Sequence, residues 1–478
     1  MSSIKKNFFF SSILTTANYI FPLLTYPYVS RVLGVTNIGA CNFVDSIIHY
    51  FIMFSMMGIG VIGIREVAVC KDDKKKLSKV FSELFVLNTI TTLLALLILI
   101  IAVLSVEQLR IHWRLMAIGA LKLITNYMLV EWFYKGLEQF KFITVRTIFV
   151  KFAYVAGVFI FVRKVDDYVV YYMLTVLMIA VNAIVNIIYS RHYVSFIFCN
   201  LDVSRYLRSF FILGVYSFLS SLYTTFNVAF LGFVSGETEV GYYTTATKFF
   251  SILIALFSAF TGVMLPRMSS LLSDGKVEEF KERLTKSIDV LFFFFIPIGV
   301  LSIVYAPIII RIMAGVGYEG AILPMRIIIP LVLIIGYEQI IIIQGLMPLK
   351  QDKSILYNSI VGAIVGILLN IALVPSLKSV GSSIVWIASE FVVLVCAQYY
   401  INKSLNFIFP WKKVLKFLSV NLPLFVILLC IYLNIENWMM SIGFALVVFG
   451  FHALLLFRLM PNEVGTLCFK RISERIRR

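Results

Sequence analysis

The sequence predicts an all-α integral membrane protein with about 14 transmembrane helices, and its composition gives the first reason. Of its 478 residues, 60% are hydrophobic and 14% are charged. Soluble globular chains are about 45–50% apolar and about 25% charged, so this chain needs lipid as its solvent. Its apolar stretches are about 20 residues long and lack a two-residue alternation, which favours helices over the strands of a membrane barrel.

Fourteen apolar stretches follow one another along the chain, and we number them as spans 1 to 14. Each is long enough to cross the hydrocarbon core of a bilayer as a helix. They cover residues 9–30, 43–64, 80–104, 114–134, 143–162, 168–190, 209–233, 241–264, 287–309, 322–346, 355–374, 381–401, 413–433 and 439–459.

The basic residues support both this number of spans and an orientation. The loops on one side, together with both termini, carry 28 Lys and Arg residues, whereas the loops on the other side carry six. Cytoplasmic loops collect Lys and Arg, so both termini are predicted to be cytoplasmic. The same rule accounts for the net charge of +17 without nucleic acid as a partner.

The two halves of the chain resemble each other. A first block of residues recurs with a displacement of 202 positions, and a second block, from Gly136 to Gly157, recurs with a displacement of 209. In the first block Gly34, Gly39, Gly60, Val61 and Arg65 correspond to Gly236, Gly241, Gly262, Val263 and Arg267.

This repeat predicts three parts. They are an N-terminal six-helix lobe over residues 1–200, a C-terminal six-helix lobe over 201–405, and two additional helices with a basic cytoplasmic tail over 406–478. A repeat of six helices keeps the same orientation, so the lobes are related by an axis along the membrane normal. Such pairs of lobes enclose a cavity and work by alternating access, which favours a transporter over a scaffold.

Polar residues inside the spans are the candidates for substrate binding. Charges there are costly and usually face a cavity or a partner, and cations with amides suit a phosphate and sugar hydroxyls. The alternative is that these side chains reach the membrane interface or pair with carboxylates. For Arg146, which lies near the edge of a span, its position favours this alternative. The predicted cavity residues are Arg31, Lys122, Asn126, Lys151 and Lys248.

Three acidic residues within spans, Asp45, Glu338 and Glu390, could couple transport to an ion or pair with buried bases. The Phe run 292–295 is predicted to face lipid. We find no GxSxG, Walker or HExxH motif and no Cys/His cluster. No enzyme activity, catalytic residue, cofactor or metal site is therefore predicted, and the outer loops, all about 12 residues or shorter, disfavour a membrane glycosyltransferase or polymerase.

Several short segments stand in a characteristic order along nearly the whole chain. They are Pro27-Tyr-Val-Ser-Arg-Val-Leu-Gly34, Asn37-Ile-Gly39, Gly63-Ile-Arg-Glu-Val-Ala68, Glu131-Trp-Phe-Tyr-Lys-Gly-Leu-Glu138, Val240-Gly-Tyr-Tyr-Thr-Thr-Ala-Thr-Lys248 and Leu265-Pro-Arg267. In these segments the chain resembles bacterial polysaccharide-unit flippases of the Wzx type. Their superfamily, called MATE/MOP, also holds multidrug exporters and lipid II flippases.

The resemblance implies a flippase of the bacterial inner membrane. Its substrate would be an undecaprenyl-pyrophosphate-linked oligosaccharide of O-antigen, capsule or a similar glycan, moved from the cytoplasmic to the outer leaflet. The implied partners are this lipid-linked oligosaccharide, membrane lipids, a polysaccharide polymerase and a chain-length regulator. An ion-coupled small-molecule or multidrug exporter is the main alternative, although span 1 lacks the acidic residue that many MATE exporters have there.

Overall fold

The computed structural model describes residues 3–197 and 201–459, and within these ranges it contains helices and no strand. The basic tail predicted from residue 460 onward lies outside the described residues. The α-helices are α1 Ser3–Met56, α2 Ile59–Cys70, α3 Lys74–Ser105, α4 Glu107–Ile111, α5 Trp113–Tyr127, α6 Glu131–Gly136, α7 Phe140–Phe161, α8 Tyr168–Ser190, α9 Ser204–Thr224, α10 Phe226–Ser235, α11 Glu237–Ser273, α12 Val277–Val304, α13 Ala306–Met313, α14 Ile322–Ile328, α15 Leu331–Gln339, α16 Asp352–Leu405, α17 Trp411–Asn434 and α18 Trp438–Leu459.

The all-α membrane fold predicted from the sequence is confirmed. Eleven helical segments in the described part of the chain are long and apolar enough to cross a membrane. Two of them, 62 and 54 residues long, are well over twice the length that a crossing needs, and each contains a non-helical residue, Gly34 in α1 and Lys378 in α16. The number of 14 spans stays a prediction.

The third helix shows how lipid replaces water as the solvent. One face of α3 exposes Leu93, Leu97 and Leu104, which a water-soluble protein would bury. The opposite face buries Asn88 and Thr92, and their polar groups bond within the protein. This distribution agrees with a bundle that turns apolar side chains toward lipid and polar ones inward.

The described chain forms two compact units, Met1–Thr244 and Thr245–Arg478. The first unit therefore contains the six helices of the predicted N-terminal lobe together with α9, α10 and the first turns of α11. The predicted domain boundaries at residues 200 and 405 stay predictions.

Two of the segments that carry the family resemblance pack against each other in the first unit. A methyl group placed on Gly63 in α2 would lie 2.3 Å from Trp132 in α6, and one on Gly136 would lie 2.7 Å from Val67. Glycine is therefore required at both positions for α2 and α6 to approach closely. Trp132 is itself buried, so this contact explains both segments as structural.

The connection between α8 and α9 is bound to the side of α3. Ser78 Oγ accepts a hydrogen bond from the Ser195 N–H at 3.1 Å, and Ser82 Oγ accepts one from Ile197 at 2.9 Å. The fully buried Glu83 carboxylate accepts hydrogen bonds from Arg205 at 2.5 Å and from the Tyr206 hydroxyl at 3.0 Å. The start of α9 is thereby fixed to the first unit.

The expectation that the Phe run 292–295 faces lipid is wrong. Phe292, Phe293 and Phe295 are buried in the second unit. The two additional helices cover the first two, because Phe292 packs on Phe417 of α17 and Phe293 on Phe457 of α18, whereas Phe295 packs on Phe257 of α11. Hydropathy alone cannot distinguish a side chain that faces a neighbouring helix from one that faces lipid.

Candidate functional site

Lys122 lies in α5 and forms an ion pair with Asp45 of α1. Its Nζ atom is 2.5 Å from Asp45 Oδ1, and the Tyr172 hydroxyl donates to the same oxygen at 3.1 Å. The lysine side chain is 15% exposed and the aspartate 41%. The structure thus brings together two of the predicted residues, and an anion that binds Lys122 would compete with Asp45 for it.

Lys151 of α7 is a buried ammonium group with uncharged partners. Its Nζ atom donates to Asn18 Oδ1 at 2.7 Å and to the Ala17 carbonyl at 3.5 Å, and it lies 5.7 Å from the centre of the Phe21 ring. No carboxylate within the described ranges forms an ion pair with it. Because a buried cation whose direct partners are all uncharged is unfavourable, Lys151 is well suited to receive an anion.

The fourth span is broken beside the helix that carries Lys151, and no sequence pattern predicted this break. The helix α5 ends at Tyr127, Val130 has a left-handed backbone with φ 38°, and α6 then begins at Glu131. Asn186 of α8 stabilises the break because its amide donates to the Leu129 carbonyl. Interrupted membrane helices with charged neighbours are typical of binding sites in transporters.

Arg146 of α7 joins the same network. Its guanidinium donates to Asn186 Oδ1 and to Thr147 Oγ1, and it lies 3.4 Å from Glu131. The residue is 7% exposed, and its Nε atom has no hydrogen-bond partner in the described structure. Its position near a span edge favoured the membrane interface or a carboxylate partner over a place in the cavity, and the structure shows the second of these, an ion pair with Glu131.

Glu131 has more cations than anions around it. Lys135 lies 3.2 Å from one carboxylate oxygen, Arg146 lies 3.4 Å from the other, and Lys151 interacts with it electrostatically. Glu131 and Lys135 are partly exposed, with 34% and 38% of their side chains accessible. The cluster of Glu131, Lys135, Arg146 and Lys151, which we call the cation cluster, therefore carries a net positive charge and can be reached from one side.

Three other residues that were predicted to line the cavity lie outside the cation cluster. Arg31 is exposed and donates to the Pro27 carbonyl of its own helix. Asn126 donates to the Met56 sulfur at 2.8 Å. Lys248 is half-buried in α11 and belongs to the second compact unit.

Glu338 and Glu390 lie together in the second unit. Glu338 lies just before a π-helical segment, Ile340–Leu346, and its carboxyl group is close enough to that of Glu390 for the two to share a proton. Trp386 donates its indole N–H to Glu390 at 3.1 Å. Two ionised carboxylates can only accept hydrogen bonds, so this contact requires at least one proton. The buried Glu338 Oε2 atom has no other hydrogen-bond partner in the described structure.

The long apolar helices and the charges buried between them define the chain as a multi-pass membrane protein. A family model described as "Polysaccharide biosynthesis protein" matches residues 4–272. This is more than half of the chain, so the chain belongs to that family.

Two curated relatives share one name. A protein of Escherichia coli (strain K12) named "Putative O-antigen transporter" is 26% identical over 405 residues, which cover 84% of this chain and 97% of that protein. A protein of the same name from Shigella dysenteriae is 22% identical over 273 residues, covering 56% of this chain and 68% of that protein.

Two solved structures are similar in fold. The lipid II flippase MurJ in an inward closed conformation aligns with a TM-score of 0.74 and 16% identity, covering 94% of this chain and 99% of that chain. An inward-facing multidrug resistance MATE family transporter of the MOP superfamily aligns with a TM-score of 0.65 and 14% identity, covering 81% and 94%. The fold that the sequence predicted is thereby confirmed.

Proposed function

We propose that the protein is a flippase for a lipid-linked oligosaccharide, moved from the cytoplasmic to the outer leaflet of a bacterial inner membrane by alternating access. The family and the names of the O-antigen transporter relatives support this substrate class. The observation that carries the proposal is Lys151, a buried ammonium group without a carboxylate partner. An undecaprenyl pyrophosphate headgroup would supply the missing negative charge.

The cation cluster suits a phosphorylated headgroup better than a cationic drug. Lys135 is accessible and Glu131 already forms ion pairs, so an entering phosphate could replace Glu131 as the partner of Lys135. A cationic drug would instead face the net positive charge of the cluster. This difference favours the flippase over an exporter of cationic compounds of the same fold.

The proposal is tested by expressing the protein in a strain that lacks its own repeat-unit flippase but makes the lipid-linked oligosaccharide. We expect the surface glycan to return and the internal pool of lipid-linked oligosaccharide to fall. If the internal pool stays high while efflux of cationic dyes rises, the protein is an exporter instead.

Lys122→Ala is expected to lower export about threefold to tenfold, because Lys122 is a second cation that the headgroup can approach. Asp45→Asn removes the competing carboxylate and is expected to leave export at or above the wild-type level. Surface glycan at matched protein abundance measures both. A loss in Asp45→Asn as large as that in Lys122→Ala would mean that the ion pair itself, not the free lysine, is what export requires.

Glu338 and Glu390 are proposed to couple transport to protons, because their contact holds a proton that can be released when the carboxyl groups separate. Glu338→Gln is expected to lower export at least about fivefold and to abolish proton movement that accompanies transport in vesicles. The exposed Glu107 offers a control as Glu107→Gln. Unchanged proton movement in Glu338→Gln would remove the pair from coupling.

A further inference from the structure

Two buried amide side chains of the second unit lack the hydrogen bonds that burial requires. Asn358 of α16 is 1% exposed, and neither its Nδ2 nor its Oδ1 atom has a partner in the described structure. Gln344 of the π-helical segment is 0% exposed, and its Nε2 atom also has no partner within the described residues. Because an amide buried without hydrogen bonds is unfavourable, these three atoms indicate a site that binds a small polar ligand.

Gln344 and Asn358 lie at a similar depth on two segments that are joined by a short turn. The chain reverses direction at residues 347–351, where backbone hydrogen bonds close the turn. Gln344 is seven residues before Gln351, and Asn358 is seven residues after it. At about 1.5 Å per helical residue, each amide is roughly 10 Å from the turn. Since the π-helical segment packs against α16, we place the two amides in one buried site.

The third member of this site is Ser287 of α12, whose hydroxyl donates to Gln344 Oε1 at 2.8 Å. We call Ser287, Gln344 and Asn358 the amide site. Other polar side chains nearby in the sequence have partners inside the protein. Gln339 exchanges hydrogen bonds with Ser258 at 3.0 and 3.1 Å, and Ser359 donates to a carbonyl of its own helix at 3.2 Å. The unpartnered atoms are therefore not a general feature of this region.

The amide site lies between the Glu338–Glu390 pair and the predicted cytoplasmic side. Glu338 precedes Gln344 by six residues, which places it roughly 9 Å deeper in the membrane. The turn at 347–351 carries Lys350, and basic residues are typical of cytoplasmic turns. A π-helical segment within a longer helix often marks a functional site. A buried carboxyl pair that releases a proton needs a polar path for it, because hydrocarbon side chains cannot carry a proton.

We propose that the amide site holds water molecules through which the Glu338–Glu390 pair exchanges its proton with the cytoplasm. The inference rests on the proposed proton coupling. Water can accept hydrogen bonds from Gln344 Nε2 and Asn358 Nδ2 and donate one to Asn358 Oδ1, so all three unpartnered atoms gain partners. The pair releases one proton to the nearest water, each water passes one on, and one proton enters the cytoplasm. The amides do not titrate and act only as positioning residues.

Asn358→Leu tests for water in the amide site without any substrate. Leucine has the branching of asparagine but no polar atom. If water fills the site, the substitution leaves the water and Gln344 facing an apolar group, and the apparent melting temperature in detergent should fall by about 2–5 °C. If the amide is buried without water, its removal relieves an unfavourable burial, and the melting temperature should rise. A rise, or no change, would overturn the proposal.

Ser359→Ala is the matched control for both stability and proton movement. Ser359 is also buried and follows Asn358 in the same helix, but its hydroxyl bonds within α16. In vesicles that contain the purified full chain and a lipid-linked glycan, Asn358→Leu should slow the accompanying proton movement at least about tenfold, and Ser359→Ala should not. Asn358→Ser, which keeps a group that can bond water, should restore most of the rate. Proton movement at the wild-type rate in Asn358→Leu would overturn the path.

Failure of the path and failure of the proposed function give different results. A wild-type protein that moves no lipid-linked glycan refutes the function and the path with it, whereas a lower melting temperature of Asn358→Leu would still establish water in the amide site. Glycan transport without any proton movement refutes proton coupling. Proton movement that is lost in Glu338→Gln but unchanged in Asn358→Leu refutes the path alone and keeps the carboxyl pair as the coupling site.

Discussion

Replacing Lys151 with alanine is expected to lower export of the glycan at least about tenfold. The lysine is buried, and its contacts are the Asn18 side chain, the Ala17 carbonyl and the Phe21 ring, all neutral. A desolvated cation bonded to a phosphate is worth roughly 2–5 kcal/mol when one partner is removed. Losing this charge should therefore weaken binding of the headgroup rather than unfold the protein.

Two variants make this result specific. Lys151→Arg keeps the charge and should retain part of the export. Lys141→Ala removes an exposed lysine near the start of the same helix and should change little. Surface glycan and the internal lipid-linked pool are measured at equal protein abundance. Full export by Lys151→Ala would exclude this lysine from substrate binding.

Arg205→Ala is expected to destabilise the protein by about 2–3 kcal/mol, because it leaves a buried carboxylate without its nearest cation. Glu83 is completely buried, whereas the Arg205 side chain is 43% exposed. Burial raises the pKa of the Tyr206 hydroxyl, which therefore remains a hydrogen-bond donor to Glu83. This donor, the Asp202 N–H at 3.0 Å and the Lys79 ammonium group at 3.9 Å compensate only in part, since the remaining cation lies further from the carboxylate than Arg205 does.

Glu83→Gln should cost less than Arg205→Ala, about 1 kcal/mol, because a neutral amide tolerates burial better than an unpaired carboxylate. Arg208→Ala, which removes an exposed arginine one turn further along α9, serves as the control. Apparent melting temperatures in detergent compare the three variants. Equal melting temperatures for Arg205→Ala and Arg208→Ala would show that Arg205 does not hold the start of α9 on the first unit.

The sequence was informative where its physical signal is local. Length and hydropathy predicted the helices, and the cost of burying charge pointed to Lys122, Lys151 and their surroundings. Hydropathy could not, however, reveal that α17 and α18 cover Phe292 and Phe293. Such contacts depend on which helices become neighbours, and no pattern within one helix encodes that.

The break at Val130 shows a different limit. Met128, Leu129 and Val130 are apolar, and no glycine or proline marks an interruption. The positive φ of a β-branched residue is unfavourable, and it is compensated by Asn186, which lies 57 positions from the Leu129 carbonyl it binds. The asparagine was visible as a polar residue in a span, but its partner could be found only from the tertiary structure.

Transport by the purified protein in vesicles measures the central claim most directly. The vesicles carry a labelled oligosaccharide on undecaprenyl pyrophosphate, or the same oligosaccharide on a neutral lipid. We expect the wild-type protein to move the pyrophosphate-linked form much faster than the neutral one and Lys151→Ala to lose this preference. Equal translocation of both lipids by the wild-type protein, unchanged in Lys151→Ala, would contradict recognition of the headgroup by buried positive charge.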